Sequence, residues 1–473
     1  MEFDPLLLSR IQFAFVVSFH AIFPVFTIGL AAYIAVLEAL NYHRPDPVRE
    51  KLSRFWIKIF ALVFGLGVVS GIVMAFQFGT NWSNFSYAAS NFMGPVLSYE
   101  VVTAFFLEAT FLGILLFGRD RVPSGVHLLA ACMVAIGTFI SSFWILSANS
   151  WFHTPAGVEL VDGHFQVTSW LQAIFNPSLP YRFGHMALAS FITGGFVVAA
   201  VSSWYLLRGR NPRSSRMALK MTVAMLAVAT PLQLLVGDMH GLNTLEHQPI
   251  KVAAMEGHWE TKQGAPLVLF GLPDGSAEEN HFEIAIPYLG SLILTHSLDG
   301  EVQGLKSVPA EDRPPVASVF WSFRIMVAIG LLFILLSWTA LIQMLRGRLF
   351  ESRRLLTALS WSYPLPFIAV IAGWFVTEIG RQPWVVYGMM RVSEAVTPSL
   401  SGGMALTTLI GYILVYTVVF GAGVYYMRRV ILDGLEPIEA ASDSDSARPK
   451  RPLSALNTGF DGDNAQPASG PST

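Results

Sequence analysis

The sequence predicts an all-α protein, a polytopic membrane helix bundle with about nine transmembrane helices. Three observations support this prediction. First, 53% of the 473 residues are hydrophobic and 13% are charged, with a mean hydropathy of +0.52, whereas a soluble globular protein has about 25% charged residues. Second, apolar stretches of transmembrane length recur along the chain. Third, the loops between these stretches alternate in their content of Lys and Arg.

Nine stretches are apolar over about 20 residues or more, the length that a helix needs to cross the hydrocarbon layer. Helix is the predicted form, because an open strand would leave its backbone groups unpaired in lipid. The predicted spans lie near residues 12–40, 55–79, 95–118, 126–148, 185–207, 217–237, 317–345, 357–380 and 403–427.

The loops that follow the odd-numbered spans are rich in Lys and Arg, and the other short loops are poor in them. The loop after the first span, for example, contains Arg44, Arg49, Lys51 and Arg54. Basic loops are cytoplasmic by the positive-inside rule. The N-terminus is therefore predicted to lie outside and the C-terminus in the cytoplasm, an orientation that suits every loop between nine spans.

Two segments differ from the spans. Residues 239–316 form a long polar loop on the outer side, and loops of this length are usually functional or disordered. Residues 437–473 are rich in Ser, Asp, Pro and Ala and are predicted to form a disordered cytoplasmic tail. The predicted transmembrane domain is thus 1–436. Because the chain begins with the acidic segment MEFDP, we expect no cleavable signal peptide.

The composition also narrows the possible chemistry. Cys132 is the single cysteine of the sequence, which excludes an internal disulfide framework and an iron–sulfur cluster bound by cysteines. The formal net charge of −2 gives no indication of a nucleic-acid partner. We therefore looked for chemistry among the other polar residues within the spans.

Four candidate metal ligands lie in or beside four separate spans: His20, His185, Met326 and Glu378. Imidazole, thioether and carboxylate are ligand types that bind haem iron, and ionisable residues within a membrane usually mark a functional site. Each residue alone has an ordinary structural interpretation, as a packing or interfacial residue. The predicted orientation, however, brings all four to the outer half of the membrane, which favours an electron-transfer site there.

Glu100 and Glu108 lie in the same outer half, on the third predicted span. They are eight residues apart, which corresponds to about 80° around a regular helix, so one broad face could carry both. Intramembrane carboxylates commonly serve in proton relays. The two residues are therefore candidate relay groups.

Several segments together resemble a known family. They are GWFVTEIGRQPW at 373–384, FWSFRIM at 320–326, SRIQF at 9–13 before His20, and the loop segment 237–259. These motifs, in this order, are similar to those of subunit I of cytochrome bd-type quinol oxidases. The resemblance covers nearly the whole chain, with the tail excluded.

The resemblance implies roles for the four candidate ligands. His185 and Met326 would be the axial ligands of a low-spin haem b, with Arg324 helping to hold its charge. His20 and Glu378 would each ligate one of two high-spin haems, a haem b and a haem d. His20 is the favoured ligand of the haem that reduces oxygen, although the reverse assignment stays open.

The same motifs imply roles for further residues. Trp374 would lie between haems, and Arg10 and Arg381 are predicted to contact the cofactors. Glu100 and Glu108 match acidic residues near the high-spin pair.

The loop between spans six and seven matches the quinol-binding loop of the family, in which Lys251 and Glu256 would contact the quinol. This loop is short, as in the branch that includes cyanide-insensitive oxidases. In that branch a third haem b can take the place of haem d.

The resemblance implies a terminal oxidase of the bacterial inner membrane, which oxidises membrane quinol and reduces dioxygen to water. Protons would come from the cytoplasm without a pumping step. The expected partners are a second membrane subunit and a very small single-span subunit. Two alternatives stay open: a haem-containing membrane quinol dehydrogenase that reduces another acceptor, and a proton-coupled transporter. Transporters often consist of two related halves, which the sequence does not display.

Overall fold

The computed structural model describes residues 3–435, and most of them are helical. The helices are α1 (Pro5–His43), α2 (Pro47–Thr80), α3 (Ser83–Glu100), α4 (Phe106–Phe117), α5 (Ser124–His153), α6 (Trp170–Ile174), α7 (Leu179–Leu207), α8 (Pro212–His247), α9 (Pro249–Glu256), α10 (Leu289–Thr295), α11 (Val316–Leu345), α12 (Arg353–Trp361), α13 (Leu365–Ile379), α14 (Val392–Ala395) and α15 (Gly402–Asp433). The strands are β1 (Val158–Val161), β2 (His164–Val167), β3 (Lys262–Gln263), β4 (Leu267–Asp274), β5 (Glu279–Ile286), β6 (Glu301–Val302), β7 (Trp384–Val386) and β8 (Met390–Arg391), and they form four two-stranded antiparallel sheets, β1–β2, β3–β6, β4–β5 and β7–β8.

Among residues 3–435, eight helical segments are long and apolar enough to cross a membrane. The helices α12 and α13 meet at 42° and supply a ninth span if the two are counted as one. The predicted all-α bundle of about nine spans is thus confirmed. The orientation of the termini stays a prediction, and the predicted tail at 437–473 lies outside the described residues.

The first two spans begin with the same local signal, an Asp-Pro pair. The Asp4 carboxylate accepts a hydrogen bond from the backbone of Leu6, and Asp46 accepts one from Val48. Proline suits the first helical position, where its missing N–H would have no partner. The side-chain oxygen satisfies a free backbone donor, so both helices begin where the sequence dictates.

Most helices extend a few residues beyond the predicted spans, and two extend farthest. The third span begins at Ser83 instead of residue 95, because its first turns are amphipathic. Their apolar side chains pack inside the protein, where Phe92 contacts Trp151 at 4.5 Å between ring centroids, while Asn84 and Asn91 are exposed. The sixth span continues to His247 instead of ending near 237. Its polar last turns face a cavity within the protein, so average hydropathy underestimates its length.

Helix α1 packs against α2, α5, α7 and α15 and forms the centre of the bundle. It crosses α7 closely at Gly29 and Gly194, where a Cβ atom on Gly194 would approach the Gly29 carbonyl carbon to 2.8 Å. Small residues permit such backbone contact between membrane helices. This crossing fixes the relative position of the two helices that carry His20 and His185.

The segment between α8 and α11 is ordered rather than irregular. It contains α9, the β4–β5 hairpin, the short β3–β6 sheet and α10. Helix α9 is almost wholly buried and packs against α8 and α11. The predicted long loop is therefore a small folded cap at one end of the bundle.

Candidate functional site

A cavity of about 450 Å³ lies beneath this cap, among α7, α8, α9, α11 and α13. Its lining includes five of the residues that the sequence singles out, namely His185, Met326, Trp374, Lys251 and Glu256. The volume falls in the usual range of organic ligand sites, about 300–1,000 Å³. His20 and Glu378 do not line this cavity and occupy neighbouring positions described below.

His185 projects into the cavity from α7. Its Nε2 atom lies 3.1 Å from the Gln233 side-chain nitrogen, and its buried Nδ1 atom has no hydrogen-bond partner within residues 3–435. A Cβ atom on Gly237 would approach the imidazole to 3.4 Å, and the ring of His240 lies 5.5 Å away. Gln233, Gly237 and His240 recur at intervals of three or four along α8, so one face of α8 adjoins this imidazole.

Met326 faces the same cavity from α11. A Cβ atom on Gly373 of α13 would lie 3.0 Å from the Met326 sulfur, so the glycine leaves room for the thioether. The adjacent Trp374 has a buried indole Nε1 atom without a hydrogen-bond partner in the described part of the chain. Buried polar atoms normally have partners, so unpaired nitrogens on Trp374 and His185 indicate a ligand site.

Glu378 belongs to a buried polar cluster beside the cavity. Its carboxylate accepts hydrogen bonds from Arg381 Nη2 at 2.6 Å and from Asn149 Nδ2 at 2.9 Å. His153 Nε2 lies 3.6 Å from the same carboxylate. The other ring nitrogen, Nδ1, accepts a hydrogen bond from Lys251 Nζ at 2.9 Å.

The cluster contains more positive than negative charge. Arg182 also donates to the Asn149 side chain, so three buried basic side chains, Arg182, Lys251 and Arg381, surround the carboxylate of Glu378. Burial lowers the pKa of Lys251 well below its ordinary value, and the two nearby guanidinium groups lower it further. Buried charge is costly unless it is paired, so this cluster fits an anionic ligand such as a carboxylate.

His20 lies on α1 at a separate position. Ser70 donates its hydroxyl proton to the Gly67 carbonyl at 2.9 Å, so its oxygen accepts from His20 Nδ1, also at 2.9 Å. This hydrogen bond fixes the tautomer and leaves the lone pair of Nε2 available for a metal. A Cβ atom on Gly71 would approach the imidazole to 3.2 Å. The missing side chain at Gly71 therefore leaves space beside the His20 ring.

Glu100 and Glu108 are joined by a single wide π-helical turn, Val101–Phe105. Its extra residue reduces the angle between the two carboxylates from about 80° to about 20°. Both therefore pack on one face of α5. Ser141 donates to Glu100 Oε1 at 2.7 Å, and Glu108 is buried with its Cγ 2.5 Å from a Cβ atom built on Gly137.

Arg324 and Glu256 form an ion pair at the cap, with 3.0 Å between Nη2 and Oε2. Arg324 also donates to the carbonyl groups of Met255 and Val268. Its guanidinium therefore joins α11 to the cap, and it does not line the cavity. Lys251 and Glu256 have different partners although both line the cavity.

Arg10 is exposed on the first turns of α1.

A second buried cluster lies toward the other end of α1, and the sequence analysis did not single it out. Glu38 accepts hydrogen bonds from Ser53 and Arg119 and contacts His127 Nδ1 at 3.0 Å. The other nitrogen of His127 donates to the Leu115 carbonyl at 3.1 Å. The cluster joins α1, α2, α4 and α5.

Comparison with known proteins identifies the class. Residues 8–435 match the family described as cytochrome bd terminal oxidase subunit I. The chain is 35% identical to the cytochrome bd-II ubiquinol oxidase subunit 1 of Escherichia coli (strain K12), over 90% of this chain and 96% of that protein. It is also 35% identical to the cytochrome bd ubiquinol oxidase subunit 1 of Bacillus subtilis (strain 168), over 91% and 94%.

A solved structure agrees with these matches. The bd oxidase from Geobacillus thermodenitrificans superimposes with a TM-score of 0.86 at 32% identity, over 92% of this chain and 99% of that chain. The chain therefore belongs to the cytochrome bd terminal oxidase subunit I family, and the resemblance seen in the sequence motifs is confirmed. It is a multi-pass membrane protein, and haem is the cofactor class that the family implies.

Proposed function

We propose that this chain is the haem-binding subunit of a respiratory terminal oxidase that oxidises membrane quinol and reduces dioxygen to water. The observation that supports this most strongly is the cavity beneath the cap, where His185 and Met326 arrive on separate helices and Lys251 and Glu256 come from the cap. The names of the bacterial relatives, which are ubiquinol oxidase subunits, point the same way.

His185 and Met326 would hold a low-spin haem b, and His20 and Glu378 would each hold one of two high-spin haems. His20, His185 and Met326 fit these groups, because His20 has a free Nε2 lone pair, and Gly237 and Gly373 leave space beside His185 and Met326. Bound haem would supply one-electron transfer and, where one axial position stays open, a site for dioxygen. We propose two haems b and one haem d, with a third haem b as the alternative to haem d.

The excess positive charge beside Glu378 supports the same proposal. Haem carries two propionate carboxylates, and Arg182, Lys251 and Arg381 exceed the charge of Glu378 by two once Lys251 is protonated, a state that bound carboxylates would favour. These cations would fix the orientation of bound haem through charge-assisted hydrogen bonds. Trp374 would pack beside it, with its indole nitrogen as a further donor. Arg324 would act indirectly, through its contacts with the cap. Arg10 has no hydrogen bond or ion pair among residues 3–435 that supports a role.

Quinol oxidation releases two electrons and two protons, so the site needs a proton acceptor. Glu256 would accept a proton from a quinol hydroxyl, and Lys251 would hydrogen-bond the other oxygen or stabilise developing negative charge. The ion pair with Arg324 holds the Glu256 carboxylate in place at the cavity wall. Burial keeps both groups out of bulk water, which strengthens their interaction with a bound quinol.

Glu100 and Glu108 would pass protons toward the oxygen-reducing site, and Ser141 would assist through its contact with Glu100. Protons would enter from the cytoplasm, and no pumping step is needed for charge separation. Replacement of Glu108 by Gln tests this role, with Glu108→Asp as the matched control that keeps a carboxyl group. We expect a large loss of turnover and of proton uptake for the Gln variant alone. Unchanged turnover and uptake in that variant would exclude the relay.

The proposed oxidase works as a complex in the bacterial inner membrane. Its expected partners are a second membrane subunit and a very small single-span subunit.

The decisive experiment is the redox difference spectrum of the purified complex, followed by haem extraction to count and identify the porphyrins. A far-red band would identify haem d. Oxygen consumption with a reduced quinol separates an oxidase from a quinol dehydrogenase. A colourless preparation, or haem bands without oxygen consumption, would contradict the proposal.

A further inference from the structure

The β4–β5 hairpin of the cap exposes an unusual amount of apolar surface. Phe282 is 80% exposed and Ile284 is 61% exposed. Leu269, Phe270 and Ile286 are also exposed. All five lie in the strands themselves, where an antiparallel sheet in water would place polar residues on its outer face. The hairpin therefore presents an apolar face that the described part of the chain does not cover.

The base of the hairpin lies beside a membrane-spanning helix. Arg324 Nε donates to the Val268 carbonyl at 3.1 Å, and the Phe270 ring lies 5.3 Å from the ring of Trp321. Trp321 and Arg324 are five and eight residues beyond Val316, where α11 begins. At 1.5 Å per residue, the two contacts lie about 8–12 Å along that helix. The hairpin base is thus at the depth of the first helical turns.

The exposed apolar surface is continuous with the lipid-facing surface of the bundle. On α11 it begins at Ile325, next to Arg324, and includes Leu332 and Leu335 farther along. Short helix α10, which follows the hairpin, adds exposed Leu292. This continuity fits the lipid leaflet, because a leaflet that contacts the exposed residues of α11 at this depth also reaches the base of the hairpin.

The far end of the hairpin has the opposite character. The turn is polar, with the Asp274 carboxylate accepting from the backbone of Ser276 at 2.8 Å and of Ala277 at 3.1 Å. Nearby, Glu278 pairs with Arg313 at 2.6 Å. An apolar base and a charged tip within one hairpin match the polarity gradient across a membrane–water interface.

We propose that the base of the β4–β5 hairpin inserts into the headgroup–acyl boundary of the bilayer, with its polar turn in water. The partner of this surface is the lipid leaflet itself. The hairpin then anchors the cap in the membrane at the point where Val268 holds Arg324, and through Arg324 it steadies the Glu256 carboxylate at the cavity wall.

Depth-dependent fluorescence quenching tests this proposal on the intact complex in lipid nanodiscs. In a Cys132→Ala background, single cysteines are introduced as Ile284→Cys at the base and Ser276→Cys at the turn, and each is labelled with the fluorophore NBD. The unlabelled-site control is the Cys132→Ala complex treated with the same reagent. Ile286→Cys serves as a second base position if Ile284→Cys assembles poorly.

We expect the label at the base to have blue-shifted emission, to be quenched by doxyl lipid and to lose its quenching by aqueous iodide. The label at the turn should have no blue shift, should not be quenched by doxyl lipid and should be quenched by aqueous iodide. Iodide quenching at the base equal to that at the turn would overturn the proposal, because the surface would then face water. A base label that neither doxyl lipid nor iodide quenches would overturn it as well, since another protein would then cover the hairpin.

Discussion

Replacement of Arg324 by Met should release the cap from the bundle. The substitution removes the partner of the buried Glu256 carboxylate and the donors to the Met255 and Val268 carbonyl groups, together with a cation–π contact to Phe320 at 4.1 Å. Loss of one member of a buried ion pair costs about 3–5 kcal/mol. The loss should act locally, because these contacts join one helix to the cap.

Hydrogen exchange of the intact complex measures this opening directly. A cost of about 3–5 kcal/mol corresponds to an increase of roughly two to three and a half orders of magnitude in exchange rate. The increase should be confined to α9 and β4, the segments that Arg324 contacts, because local opening exposes only those amides.

Two variants complete the test. Arg346→Gln removes an exposed arginine from the far end of the same helix and should leave exchange in the cap unchanged. Combining Arg324→Met with Glu256→Leu removes both charges, so the double variant should recover much of the lost protection. If Arg324→Met changes exchange in α9 and β4 no more than Arg346→Gln does, the ion pair does not hold the cap.

Three further predictions concern stability and cofactor content. Glu38→Ala removes the acceptor at the centre of a buried cluster. It should reduce the free energy of unfolding of the purified complex by about 3–5 kcal/mol, measured by thermal or denaturant unfolding. An unfolding transition equal to that of the wild type would refute this prediction. Gly194→Ala brings a Cβ atom within 2.8 Å of Gly29 and should cost about 1–3 kcal/mol, whereas Gly421→Ala, which meets open space, should be neutral in the same assay. Met326→Leu conserves volume and should cost less than about 1.5 kcal/mol in stability while abolishing the low-spin haem band, and an unchanged spectrum would exclude this residue as a ligand.

Much of the fold follows from the sequence, because lipid imposes one requirement on every span. Each of the nine predicted stretches corresponds to a helix or a bent helix pair. The predicted span boundaries are wrong where a spanning helix contacts protein instead of lipid. The turns of α3 after Ser83 bury only an apolar face, and the turns of α8 before His247 line the cavity. Both segments contain polar residues, so an average over hydropathy misses them.

The site was less predictable, since it forms by convergence of distant segments. Single residues such as His185 and Met326 could be selected from their types and their predicted depth. Arg182 and His153 have no signal of this kind, because their significance depends on neighbours far away in sequence. His240 alone had a usable signal, as it follows Gln233 and Gly237 on one helical face. The π-helical turn after Glu100 has no evident sequence signature.

The three basic side chains beside Glu378 have a consequence for biogenesis. Until compensating anions arrive, the newly inserted chain must carry the surplus charge of Arg182 and Arg381 over Glu378 in its interior and keep Lys251 close to losing its proton. We therefore expect that cofactor delivery and completion of this part of the bundle are one event during maturation, and that chains made in iron-starved cells remain open around α7 and α13 and are removed by quality-control proteases.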